Sequence, residues 1–118
     1  MSDDRRRFTR VRFDAATRLQ QDDWSTSVQL VDLSLRGLLV TQPADWESSR
    51  NAEPFVATID LGEGSQINME VCLIHAEDAL LGFRCEHIDL DSVSHLRRLL
   101  ALNLGDADLL DRELAALL

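Results

Sequence analysis

Lysine and tyrosine are both missing from this chain of 118 residues, whose twelve basic side chains are all arginine and whose aromatic complement is two Trp and four Phe. So few flat rings exclude the stacking stripe of a small-barrel RNA binder. Two cysteines, Cys72 and Cys85, are too few for a disulfide framework or a metal site. No apolar run approaches the roughly twenty residues needed to span a bilayer, and no apolar stretch follows the N-terminal charges as a secretory signal requires. A cytoplasmic protein without membrane insertion is therefore expected. Three histidines, His75, His87 and His95, lack metal-ligand spacing with cysteine or acids.

Positive charge is scarce but concentrated. Residues 1–12 carry five Arg against Asp3 and Asp4, net +3, whereas residues 13–118 carry seven Arg against nineteen acids, net −12. An acidic body repels nucleic-acid polymers and anionic membranes alike. Any anionic ligand must be small and recognised locally, and arginine suits that task because its planar fork binds phosphate or the guanine O6/N7 edge bidentately. Arg5, Arg6, Arg7 and Arg10 form the cluster. Such a cluster is often plain solvated charge, but Phe8 and Val11 interleave apolar anchors among these cations.

At 118 residues one domain is expected. We divide it into a flexible arginine-rich arm over residues 1–12 and a barrel with C-terminal helices over 13–118. Short runs of strand character occur at Val11–Leu19, Ser25–Leu33, Gly37–Val40, Phe55–Leu61, Gln66–His75 and Leu80–Ile88, bounded by turn residues. Pro43 to Pro54 reads as a longer loop with at most one helical turn, around Asp45-Trp46. This pattern predicts a mainly β fold, a six-stranded antiparallel barrel, because closure removes exposed edges. In the last hairpin, pairing Leu73 with Phe83 and Val71 with Cys85 collects the apolar residues on one face, with a three-residue tip at 77–79. Cys72 and Cys85 then point to opposite faces. His75 continues the inward parity at the rim.

Past Ile88 the apolar period changes to about 3.6 residues. Asp89 or Asp91 is positioned to cap a helix bearing Val93, Leu96, Leu99 and Leu100, ended by Asn103-Leu104-Gly105; Asp106 is positioned to cap a second helix rich in leucine.

Asp32-Leu33-Ser34-Leu35-Arg36-Gly37 interrupts an apolar run. It reads as a β-turn in which Asp and Ser bond their own backbone and Gly supplies a positive φ. It also reads as a recognition element: a carboxylate accepts from the guanine N1–H and N2–H₂, a hydroxyl adds a contact, and Gly37 permits close backbone approach. Asp32, Ser34 and His75 include the residue types of a hydrolytic triad, yet no nucleophile elbow surrounds Ser34 and no oxyanion-hole signature is present. We therefore expect no enzyme activity and no cofactor.

Taken together, Arg6-x-x-x-Arg10 and, about twenty residues later, Asp32-x-Ser34-x-x-Gly37 at the start of a short strand resemble the PilZ domain, a family of bacterial receptors for the second messenger cyclic di-GMP. The resemblance covers essentially the whole chain: arm, barrel and C-terminal helices. It implies that Arg6 and Arg10, with Arg5 and Arg7 as accessory cations, meet phosphates and guanine edges, while Asp32 and Ser34 hold a base beside Gly37. Members of the family often carry a large aromatic on the later hairpin; here that position is His75, which is able to stack or hydrogen-bond with less area. The implied protein is a monomeric receptor that changes conformation and signals to a protein partner. The competing reading is an interaction module of the same fold that binds no nucleotide.

Overall fold

The computed structural model describes residues 11–104, 112, 113 and 115. Its elements are β1 (Val11–Arg12), β2 (Ala16–Gln21), β3 (Trp24–Ser34), β4 (Gly37–Thr41), β5 (Phe55–Gly62), β6 (Ser65–Glu77), β7 (Leu80–Ile88) and helix α1 (Leu90–Leu104). All pairings are antiparallel. The order β1-β3-β2-β5-β6-β7-β4 is closed by a further β3–β4 pairing, so β2 to β7 form the expected six-stranded barrel. Alternation along the strands fills it: Leu19, Leu30, Leu33, Val40, Ile59, Ile67 and Val71 are all inside, each side chain contributing roughly 1.5–3 kcal/mol by its removal from water.

The expected strand Val11–Leu19 is divided. β1 and β2 run along the same side of β3, pairing with Leu33–Asp32 and with Gln29–Trp24 respectively. Between them the ladder loosens to single bonds, Phe13 N–H to the Val31 carbonyl and Leu30 N–H to that of Ala15. The cause lies in the partner strand, where the register with β4 shifts between Leu30 and Asp32. That bulge changes the parity of β3, so that Leu30 and Leu33, three residues apart, are both buried. A bulged strand bends, and the strand beside it breaks.

The β6–β7 hairpin has the expected pairs, Leu73 with Phe83 and Val71 with Cys85, and both cysteines are free thiols. Its tip is tighter than expected. Glu77 pairs with Leu80, leaving Asp78 and Ala79 in the left-handed region at φ 57° and 61°, the two-residue geometry that matches strand twist.

The loop after β4 packs an aromatic cluster at one end of the barrel. Trp24, Trp46 and Phe55 meet at centroid distances of 5.3–6.2 Å, and Arg50 stacks on Trp24 at 4.5 Å. Buried Gln21 donates from Nε2 to the carbonyls of Arg50 and Glu53 at 3.0 and 3.2 Å, holding the loop down. Its helical turn lies at Ser48–Arg50, while Asp45-Trp46 lies in a single tight turn closed by the Trp46 N–H on the Pro43 carbonyl at 3.2 Å. The Trp46 indole N–H donates to Asn51 Oδ1 at 3.0 Å.

Helix α1 is capped by Asp89, whose carboxylate accepts from the Ser92 N–H at 3.0 Å and the Ser92 hydroxyl at 2.8 Å. Leu96 and Leu100 enter the core. Residues 112, 113 and 115 are helical; the expected cap Asp106 and the leucines of the second helix lie outside the described residues.

Candidate ligand site on the outer face of the barrel

Asp32 is partly buried and its Oδ1 is closed off from solvent. The bulge at Leu30–Asp32 decides where it points: with Leu33 inward, Asp32 turns to the outside of the barrel. Directly paired residues share a face, and the ladders define one row across it. Arg12 pairs with Asp32, Asp32 with Leu39, Leu39 with Gly82, and Gly82 with His75. At about 4.8 Å per strand, Asp32 and His75 lie roughly 14 Å apart on that face.

His75 does not keep the inward parity expected of it. The β6–β7 register shifts between Leu73 and His75, which leaves Ile74 as the extra residue, 61% exposed, and moves His75 to the outer row. Its Cβ and Cδ2 lie 3.4 and 3.9 Å from where a Gly82 Cβ would stand, so the ring covers bare backbone. Its Nε2 is 3.1 Å from Glu77 Oε1, with half of the side chain exposed.

Ser34 and Gly37 are accounted for differently. The buried Ser34 hydroxyl accepts from the Arg36 N–H at 3.1 Å and donates to the Gly37 carbonyl at 3.5 Å, stapling the two-residue turn between β3 and β4. Gly37 does not have the positive φ expected of a turn glycine; among the described residues the glycines with it are Gly62 and Gly64. What requires glycine is space. A Cβ at position 37 would stand 2.0 Å from the Phe83 carbonyl oxygen, where β4 pairs with β7. The Arg36 carbonyl also accepts from the Cys85 N–H at 2.6 Å, tying the turn to the barrel. Burial first, and Glu86 second, push the Cys85 thiol up to about 11.

Arg5, Arg6, Arg7 and Arg10 lie outside the described residues. Their chain enters the barrel at β1, where Val11 pairs with Leu33 and Arg12 with Asp32. Three outer-face neighbours escaped the sequence reading: Arg12, Leu39 and Arg84, the last paired with Gly37 and Cys72. Cross-strand parity would have found Arg84 once Gly37 was set opposite it. Among the described residues no group of three or more His, Cys, Asp or Glu is arranged to hold a metal ion, and no helix is long and apolar enough to cross a membrane.

Comparison with known proteins gives one family match and a set of structural likenesses. The family model described as PilZ domain matches residues 4–102, well over half of the chain. The Bacillus subtilis inhibitor of motility, MotI/DgrA, is similar at a TM-score of 0.66 and 19% identity over 86% of this chain, which spans only 52% of that protein. The PilZ domain of CeSA from a cellulose-synthesizing bacterium gives 0.61 and 16%, covering 82% of this chain and 96% of that one. The PilZ domain of YcgR from Escherichia coli, solved with c-di-GMP, gives 0.63 and 18%, covering 87% and 94%. At these identities the likeness is one of fold.

Proposed function

Because the chain belongs to the PilZ domain family, we propose that it is a receptor for cyclic di-GMP that passes binding on to a protein partner and catalyses no reaction. The observation that carries this reading is the β1–β3 register, which sets the base of the arginine segment against Asp32. A ligand with two phosphates and two guanines asks for this combination. Arg6 and Arg10, assisted by Arg5 and Arg7, meet phosphates and guanine Hoogsteen edges; Asp32 accepts from a guanine Watson–Crick edge; His75 offers a stacking surface along the same row. Ser34 and Gly37 serve by fixing the turn that presents Asp32. The YcgR domain solved with c-di-GMP has the same fold, which supports the assignment.

A second reading, an interaction module that binds no nucleotide, draws on the same two residues. The Ser34 hydroxyl and the bare Gly37 are fully explained by the turn and by barrel closure, so their presence does not demand a ligand. The MotI/DgrA likeness fits either reading. Calorimetric titration of the purified chain with cyclic di-GMP, with GTP and GMP as controls, separates the two. Saturable binding of the cyclic dinucleotide alone is the expected result; no heat with any of the three leaves the interaction module.

A further inference from the structure

We propose that Arg84 is a further ligand-binding residue of this site, held by Glu86 until an anionic ligand arrives; the inference rests on the cyclic di-GMP reading. Arg84 lies two residues beyond Gly82 on β7 and shares its outer face. Its neighbours across the ladders are Gly37 on one side and Cys72 on the other. Gly37 has no side chain, so none stands between Arg84 and the Asp32–Leu39 pair along the outer face, where β7 backbone lies directly against Gly37. Two strand spacings and two residues separate Arg84 from Asp32, roughly 12 Å between backbone positions, a distance that one long arginine and one elongated dinucleotide bridge together.

The local geometry also gives Arg84 an internal anion. β6 and β7 shift register between the Glu70–His87 and Val71–Cys85 pairs, which makes Glu86 the extra residue of a bulge, and bulges re-aim side chains. Here the Glu86 carboxylate is turned back along its own strand, with Oε2 2.7 Å from Arg84 Nε. Both side chains stay accessible, at 48% and 35% of their surfaces. An exposed ion pair of this kind is weak and salt-sensitive, whereas a phosphate accepts two parallel bonds from a guanidinium. Ligand phosphate therefore displaces Glu86, and Glu86 acts as a competitor built into the site. In a body of net −12, such a partner also keeps the cation from attracting other anions.

The test is a titration with cyclic di-GMP at two salt concentrations, using wild type, Arg84→Ala, Arg84→Lys, Glu86→Gln, the double variant Arg84→Ala/Glu86→Gln, and Arg18→Ala. Arg18 is an exposed arginine on β2 and controls for the loss of one positive charge. Thermal melts confirm folding. Expected are a roughly tenfold loss in Arg84→Ala with a flatter salt dependence, an intermediate loss in Arg84→Lys because charge is kept and the fork is not, and severalfold tighter binding in Glu86→Gln. That gain should vanish in the double variant. Arg84→Ala binding within twofold of wild type, or no more weakly than Arg18→Ala, overturns the inference and leaves the receptor reading intact. A wild-type chain that binds no cyclic di-GMP overturns the reading itself, and this inference with it.

Discussion

A single missing methyl group governs the turn that presents Asp32. Gly37→Ala would drive a Cβ to 2.0 Å from the Phe83 carbonyl oxygen, and backbone cannot yield as a side-chain tip does. We expect destabilisation of about 3 kcal/mol, read as a lower denaturant midpoint, so loss of ligand binding in this variant reports on the fold. Asp32→Ala is the informative partner experiment. A carboxylate beside phosphates opposes them by Coulomb repulsion, so its contribution lies in choosing the base. The expected result is weakened preference for cyclic di-GMP over an adenine-containing cyclic dinucleotide, with a salt dependence close to wild type, measured by competition titration. Cys85 carries a pH signature. Its thiol ionises near 11 in the fold and near 8.5 in an unfolded chain, so on raising the pH the unfolded state loses its proton first. Stability should decline between about pH 9 and 11, and Cys85→Ala should flatten that decline in denaturant titrations.

At the level of elements, α1 is fixed to the barrel by Ser92. Its buried hydroxyl donates to Asp89 at 2.8 Å and accepts from the Asn68 N–H of β6 at 2.9 Å, so one atom joins a helix cap to a strand. Ser92→Ala should cost about 1–3 kcal/mol, because the Asn68 N–H loses its acceptor. The bonds from Ser92, side chain first and then backbone, lower the Asp89 carboxyl below its ordinary value. This contribution is present above the ordinary carboxylate pKa and is lost as the pH falls through the lower folded value. Acid titration of wild type against Asp89→Asn, followed by circular dichroism, should show that difference. Much of this element plan was legible in the sequence. The register of Leu73 with Phe83, the inward leucines of α1 and a cap at Asp89 or Asp91 all follow from period and capping chemistry. The bulges at Leu30–Asp32 and Leu73–His75 do not, since an extra residue changes parity without changing composition. They decide which way Asp32 and His75 face, so the outer row is hidden in the sequence although those two members stand out there. The sequence points to Gly37 for a positive φ or a close approach to a ligand, whereas the pairing of β4 with β7, a contact between distant segments, is what requires it.

For the molecule as a whole, charge and distance set what can be measured. With a formal charge of −9, the chain repels an anionic ligand at long range and attracts it only through local arginines. Arg10→Ala should therefore weaken cyclic di-GMP binding by about 1–3 kcal/mol and flatten its dependence on salt, as seen in titrations at low and high ionic strength. The tryptophan cluster stands well away from these events. Trp24 begins β3 and Asp32 lies eight residues further along the same strand, roughly 26 Å at strand rise. Trp24 and Trp46 are both of the chain's indoles, and they pack on each other and on Phe55. Their emission is thus a gauge of whether the barrel is intact and is blind to direct contact with a ligand beside Asp32. One sample can then yield two independent signals, native fluorescence for integrity and calorimetric heat for occupancy, without any label being attached.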